Sequence, residues 1–413
     1  MSGFSIPLSG LESTSQSLNV IANNLANLNT DGYKDETLNF SAIFNQMQGT
    51  SGNGDPIQTG SGVQVSATSS NFTNGSVTST GVASNMALQG NGFFVVQNGS
   101  QTDYTRSGNF TVNSLGQLTT TNGELVMGYP ATNGVVSTSE TLAPISVDSS
   151  STVPAVASTT FQMSTNLDSS GGVGATFSTP ITVYDSLGTS QTLSVQYTNT
   201  AANSWSYSIT IPAAATGGTG NPTSIASGTL TFDQNGNLKT PTGTVTGIKI
   251  SGLADGAADM DLTWNLDNTS GNPTITQQDS ASATSTTTQN GYGVGTLTSY
   301  SVLPDGTVQG QFSNDQTLAL GQVAVANFAN AQGLAQSGQS DYQATFASGA
   351  AVVGQAGVGG DGTITGGAVE GSNVDLSTEF ANMIVAQQGY EANAKALTTL
   401  DQISQATIQM MTA

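Results

Sequence analysis

Asp255, Asp259 and Asp261 in the run ADGAADMD are three carboxylates close enough in sequence to collect a hard cation such as Ca²⁺. Neither that run nor DQNGNL at 233–238 has the ligand spacing of an EF-hand loop, so solvated loop acids are expected there. Gly357-Val358-Gly359-Gly360-Asp361-Gly362 satisfies GxGxxG, which cradles a pyrophosphate when it opens a helix. Here the strand-like TITGG follows, and the glycines read as a turn. Asp185 and Asp233 stand before Gly turns, where a carboxylate caps the turn by accepting backbone N–H bonds. Arg106 is the sole Arg, expected to partner a carboxylate within the fold or across a boundary to another chain. Trp205, Tyr207 and Trp264 are aromatic enough to stack on a sugar, but a core role is expected. The chain has no Cys and no His, which removes the commonest soft metal ligands and the usual general base. No nucleophile–base constellation remains, so no catalytic, cofactor-binding or metal site is expected, and no enzyme.

The 413 residues carry 26 Asp and Glu against five Lys and Arg, a net charge of -21. Nucleic acid and anionic membrane surfaces both need basic side chains, so neither is an expected partner. Only 8% of residues are charged, while 36% are hydrophobic and many of those fall in alternating runs. That favours folded β domains over a disordered polar chain. No stretch reaches the ~18 apolar residues of a membrane span. The first basic residue is Lys34, so the N-terminus lacks the charged start of a cleaved signal peptide. Low Lys and absent Cys suit an exterior protein exported with its N-terminus in place.

The elements that would position these residues differ between ends and middle. Leu11, Leu18, Ile21, Leu25 and Leu28 recur at helical steps, with Pro7 near the first turn and Asp31-Gly32 as the stop. Leu376, Phe380, Met383, Tyr390, Leu397, Leu400, Ile403 and Met410 do the same at the other end, with Asp375 or Ser377 as cap. Both predict amphipathic helices with a seam suited to coiled-coil packing. Between them the period is two: GFFVVQ at 92–97, TLSVQYT at 192–198, SWSYSITI at 204–211, GTLTFDQNGNL at 228–238 and GQVAVANF at 321–328 predict strands. Gly-rich stretches at 48–62 and 354–372 flank this all-β middle, as hinges or as plain loops.

ANNLANLNTDGYK at 22–34 closely resembles the N-terminal signature of the flagellar rod and hook axial proteins, and SNVDLSTEFANMIVAQQGYEANAKALTTLDQI at 372–403 resembles their C-terminal one. LQGNGFFVV at 88–96, YTRSGNF at 104–110 and VANFANAQGLAQSG at 325–338 add to the resemblance in the right order. ITVYDSLGTSQTLSVQYT at 181–198 with Trp205 looks like the inserted β module of the hook members, which shorter rod members lack. The resemblance implies a nested multidomain plan. Residues 1–30 and 372–413 would form a helical core, 31–71 and 357–371 a connecting segment, 72–145 and 285–356 an inner β domain, and 146–284 an inserted outer β domain. It implies a hook subunit: exported by the flagellar type III apparatus, polymerised with itself into a bent, torque-transmitting joint outside the cell. The neighbours would be the distal rod protein, the hook cap and the hook-filament junction proteins. A distal rod protein is the nearest alternative, and a secreted β-domain adhesin the alternative of another class.

Asn23, Asn24, Asn27 and Asn29 interrupt the first helix, although Asn is a mediocre helix former. The expectation is that Asn23 and Asn24 bond across a subunit boundary without adding charge to chains that already repel, while Asn29 ends the helix. The expected assembly set joins Asn23, Asn24 and Asn27 to the seam residues Leu11, Leu18, Ile21, Leu25, Leu28, Leu376, Phe380, Met383, Tyr390, Leu397, Leu400 and Ile403, with Gly32, Tyr33 and Asn393 from the two signatures. Short helices with few charges are marginal alone in water. Both ends are therefore expected to fold only on docking against sister copies.

Overall fold

The computed structural model describes every residue except Met1, Asn45, Asn53, Gly54 and Ala413. By proximity the chain divides into two units: Met1–Asp148 with Ser299–Gln311 and Thr317–Ala413, and Ser149–Thr298 with Phe312–Gln316. Among the described residues there are two α-helices, one at each end, and most of the remainder is β-strand.

In the first unit, α1 (Ser2–Ala26) and α2 (Leu376–Thr412) pack against each other. The helix expected from Leu8 begins earlier, so Pro7 lies in its second turn and leaves one carbonyl without its donor. It also stops at Ala26, two residues before Leu28, because Asn27 turns its amide back to the Asn23 carbonyl at 2.9 Å. Asp375 caps α2, its carboxylate accepting from the Thr378 N–H at 2.8 Å.

The same unit holds a sheet in the order Thr317–Asn327, Leu125–Thr132, Phe93–Asn98, Gln101–Thr105, Asp341–Gln343, Ala335–Gly338. Phe94 and Val96 enter one core cluster from one face, and Phe93 and Val95 enter another from the opposite face. This is why GFFVVQ reads as a continuous apolar run. An antiparallel pair, Glu36–Ala42 with Val63–Ser70, lies beside α1.

The Gly-rich stretches are more ordered than their composition implies. Gln46–Thr50 pairs with Pro56–Thr59, with Asn53 and Gly54 of the expected joint outside the described residues. Thr363–Gly366 pairs with Met86–Gln89, and Ala368–Glu370 with Val77–Ser79.

In the second unit, Thr176–Tyr184, Ser190–Ala201, Ser204–Ile211, Thr223–Phe232 and Leu238–Thr240 form a meander in chain order. A second sheet holds Thr244–Ile250, Met260–Asn265, Thr160–Asp168, Ile275–Gln278 and Ala283–Gln289. Thr160–Asp168 pairs parallel with Met260–Asn265 at its start and with Ile275–Gln278 at its end, and antiparallel with Ala283–Gln289 along its other edge. Side chains from both sheets share one core around Trp205, Tyr197 and Trp264, as expected for strands that alternate burial at every second residue.

Candidate self-assembly surface

The motifs with chemical potential are occupied by the fold. The GxGxxG glycines form a turn: Gly357 N–H donates to the Gly362 carbonyl at 2.9 Å and Asp361 N–H to that of Val358 at 3.1 Å. These donors are therefore not aimed at a phosphate, and a strand follows instead of a helix. Asp185 accepts from the N–H groups of Leu187 and Thr189, and Asp233 from those of Asn235 and Asn237, all at 2.8–2.9 Å. Asp255 and Asp259 likewise accept from backbone N–H groups. Among the described residues no group of three metal-ligating side chains is assembled. Trp205 and Trp264 are 1% and 0% exposed, so they offer no sugar-binding face.

The helix pair carries most of the residues expected to serve assembly. A methyl group on Gly10 would meet the Asn393 amide at 2.8 Å, and one on Gly389 would meet Thr14 at 3.3 Å. Small residues thus set a close antiparallel register, with Asn393 seated over Gly10. Carried along both helices, that register brings α1's start opposite about Asp401. The last eleven or so residues of α2 therefore run past α1. Ile21 is buried, and Leu11, Leu18, Leu25, Leu28, Met383, Leu397 and Leu400 are half-buried. Leu376, Phe380, Tyr390 and Ile403 are 41%, 47%, 40% and 57% exposed. Ile384, Val385, Ile408 and Met410, none of them in the expected assembly set, extend this exposed apolar surface.

The Asn belt acts inside the chain. Asn24 is buried, and its amide holds the backbone of Glu36 at both ends: Nδ2 donates to the Glu36 carbonyl at 2.9 Å, and Oδ1 accepts from the Glu36 N–H at 3.0 Å. The Tyr33 hydroxyl donates to the same Oδ1 at 3.0 Å and accepts from Asn23 Nδ2 at 3.1 Å. Asn24 was expected to bond to a sister subunit; its amide oxygen and amide nitrogen are both engaged inside the chain, by partners nine and twelve positions away. An amide suits this place because only a side chain with both donor and acceptor can satisfy a strand's N–H and C=O together. Asn23 remains exposed and Asn29 makes an exposed helix-end residue. Burial first, then the carboxylates of Glu36, Asp35 and Glu379, pushes the Tyr33 phenol well above its ordinary value.

Below the clasp lies a buried ion cluster that the sequence reading had only half foreseen. Lys34 Nζ donates to Glu370 at 2.7 Å and to the Thr73 carbonyl at 2.7 Å. Arg106 lies 3.5 Å from the other Glu370 oxygen, donates to the Gly90 carbonyl at 2.8 Å and sits over the Phe93 ring. Arg106 is therefore an internal partner, not a bridge to another chain. Gly32, at φ +70°, fits because a Cβ there would meet the Arg106–Ser107 backbone at 2.5 Å. Burial lowers the pKa of both cations, and Glu370 opposes it. The cluster ties the chain leaving α1 to the chain entering α2. Glu370 was missed because its partners are 264 and 336 positions away; the scarcity of cations was the available signal.

Between α1, α2 and the strand Glu36–Ala42 runs a groove of about 430 Å³. Val20, Ile21, Leu38 and Phe40 line its apolar wall, and Glu36 and Glu379 its acidic end.

Comparison with known proteins places these parts in one lineage. Residues 6–34 match the family model "Flagella basal body rod protein", and 365–410 match "Flagellar basal body rod FlgEFG protein C-terminal". Residues 87–173 match "Flagellar hook protein FlgE/F/G D1 domain", and 146–292 "Flagellar basal body protein FlaE D2 domain". The chain is 36% identical to the flagellar hook protein FlgE of Escherichia coli over 414 residues, covering 97% of this chain and 98% of that one. It is 37% identical to the Salmonella typhimurium protein of the same name over 419 residues, again 97% and 98%. The crystal structure of Helicobacter pylori flagellar hook protein FlgE2 aligns with a TM-score of 0.50 at 15% identity, over 70% of this chain and 98% of that one, a likeness of fold.

Proposed function

The chain belongs to the flagellar hook protein family, and from that membership we propose how its parts serve the hook. It is a structural subunit of the bacterial flagellar hook. The reading is that its copies polymerise into a curved tube that passes torque from rod to filament, with α1 and α2 as an antiparallel coiled-coil core. The β domains nest outside that core in the order 72–145 with 285–356, then 146–284, joined to it by 31–71 and 357–371. The contacts to sister copies come from the exposed seam of α2 at Leu376, Phe380, Tyr390 and Ile403, helped by Asn23. The buried members, Ile21, Asn24 and Gly32, act by shaping the chain that presents it.

One observation carries this reading: α2 leaves a run of large apolar side chains in water over its whole length, in a chain that aligns end to end with hook proteins. Exposed apolar surface on this scale marks an interaction face. Each Å² later covered contributes roughly 25 cal/mol. Export through the flagellar type III apparatus fits helices that gain most of their stability only on docking. At the ends of the tube, the distal rod protein, the hook cap and the hook-filament junction proteins are the proposed neighbours.

Negative-stain images of the purified, assembled chain test this. Curved, pliable tubes are expected. Straight, stiff tubes would favour a distal rod protein, and failure to polymerise under any condition would remove the assembly reading.

A further inference from the structure

Glu379 presents a chemical problem that this chain does not solve alone. It is 5% exposed, it lines the groove between α1, α2 and Glu36–Ala42, and its Oε2 has no hydrogen-bond partner. Glu36 lines the same groove and accepts from Gln336. A buried carboxylate oxygen with no donor is costly. No cation lies among the residues that line the groove.

The whole chain has five cations to offer. Lys34 and Arg106 are buried and committed to Glu370. Lys239 and Lys249 lie on strands of the second unit. Lys395 is the remaining one: it projects from α2, exposed, with no ion pair to any described residue. It stands 16 positions beyond Glu379 on the same helix, a separation of about 24 Å at the helical rise. It cannot reach that groove within its own chain.

We propose, building on the self-assembly reading, that the groove receives Lys395 of a second copy, its ammonium against Glu379 and Glu36 and its methylene stem along Val20, Leu38 and Phe40. A lysine suits the site on both counts, having an apolar stem and a charged tip. Two parallel copies meet this way when one is displaced by about 24 Å along the helix axis. Glu391, one turn before Lys395 on the exposed face, is the competing carboxylate in the free subunit. The groove differs in offering an oxygen already removed from water.

Zero-length carbodiimide coupling of the unaltered polymer, read by mass spectrometry, tests the contact. The expected product is an isopeptide from Lys395 to Glu379 or Glu36, present in polymer and absent from dissociated subunit. Lys395→Glu raises the critical concentration for polymerisation by at least about tenfold, while Lys395→Arg keeps it near the unaltered value. Tubes that form normally but couple the groove carboxylates to Lys239, Lys249 or the amino terminus overturn the assignment, as do normal tubes from Lys395→Glu. An unaltered chain that forms no tubes strikes the assembly reading instead.

Discussion

The second unit and the terminal helices solve the burial problem in opposite ways. In Ser204–Ile211 every second residue is buried, and both Trp side chains of the protein lie within the unit's single core. Among the described side chains of α2, Ala386 and Glu379 are the buried ones, while Val385, Ile408 and Met410 are 70%, 59% and 75% exposed. One region completes its core from its own residues. The other leaves an apolar surface open, which the proposed reading assigns to a sister copy, beside a clasp at Asn24 and an ion cluster at Glu370. Stability and assembly should therefore separate under mutation.

The largest effects fall on the completed cores. Trp264→Ala should destabilise the second unit by about 3–5 kcal/mol, because a fully buried ring leaves a cavity. Glu370→Gln should cost the first unit a similar ~3–5 kcal/mol, since it strands two buried cations. Chemical denaturation with a probe in each unit would assign each loss to its own region. A loss shared equally by both would show that the units do not unfold separately.

Asn24→Ala should cost about 1–3 kcal/mol, the price of leaving the Glu36 N–H and C=O without partners at a buried site. Asn23→Ala, at an exposed position, should stay within about 0.5 kcal/mol in the free subunit. Equal losses at the two positions would undo the distinction between an internal clasp and an outward amide.

A smaller, pH-dependent effect is expected at Asp341, on the strand between Gln101–Thr105 and Ala335–Gly338. Burial, then the nearby carboxylate of Glu124, with Asp103 adding to it, pushes this acid from 3.8 up to about 7. The folded chain therefore holds this proton more tightly than the unfolded one. Stability falls as pH rises from about 4 to about 7, and the ionised form burdens the fold above that. Asp341→Asn should raise the unfolding midpoint most at pH 8, clearly less at pH 5 and little at pH 4 or below. A gain at pH 5 as large as at pH 8 would contradict the assignment. Ile403→Ala should do least to the free subunit, within about 0.5 kcal/mol, and yet reduce polymer yield.

Local periodicity made the helices and the meander strands legible in the sequence. Ser190–Ala201 and Ser204–Ile211 alternate cleanly and are joined by a short turn, so their pairing shows as well as their type. The parallel partners of Thr160–Asp168 lie about 100 residues away, beyond any hairpin signal. The helical seam at Leu18, Ile21 and Leu25 was readable for the same local reason. The role of Asn24 was not, because its partner is the backbone of Glu36, and backbone groups leave no mark in a sequence. Nor did the Gly-rich run before α2 reveal that its residues 363–366 and 368–370 pair as strands. Its composition is equally that of a loop.

Amide hydrogen exchange on free subunit and on polymer, compared region by region, tests the central claim most directly. The account predicts fast exchange along α2, above all beyond Asp401, in the free subunit and strong slowing in the polymer, with the amides of 190–211 slow and nearly unchanged in both. Equal slowing of the two regions, or an α2 already protected in the free subunit, would contradict it.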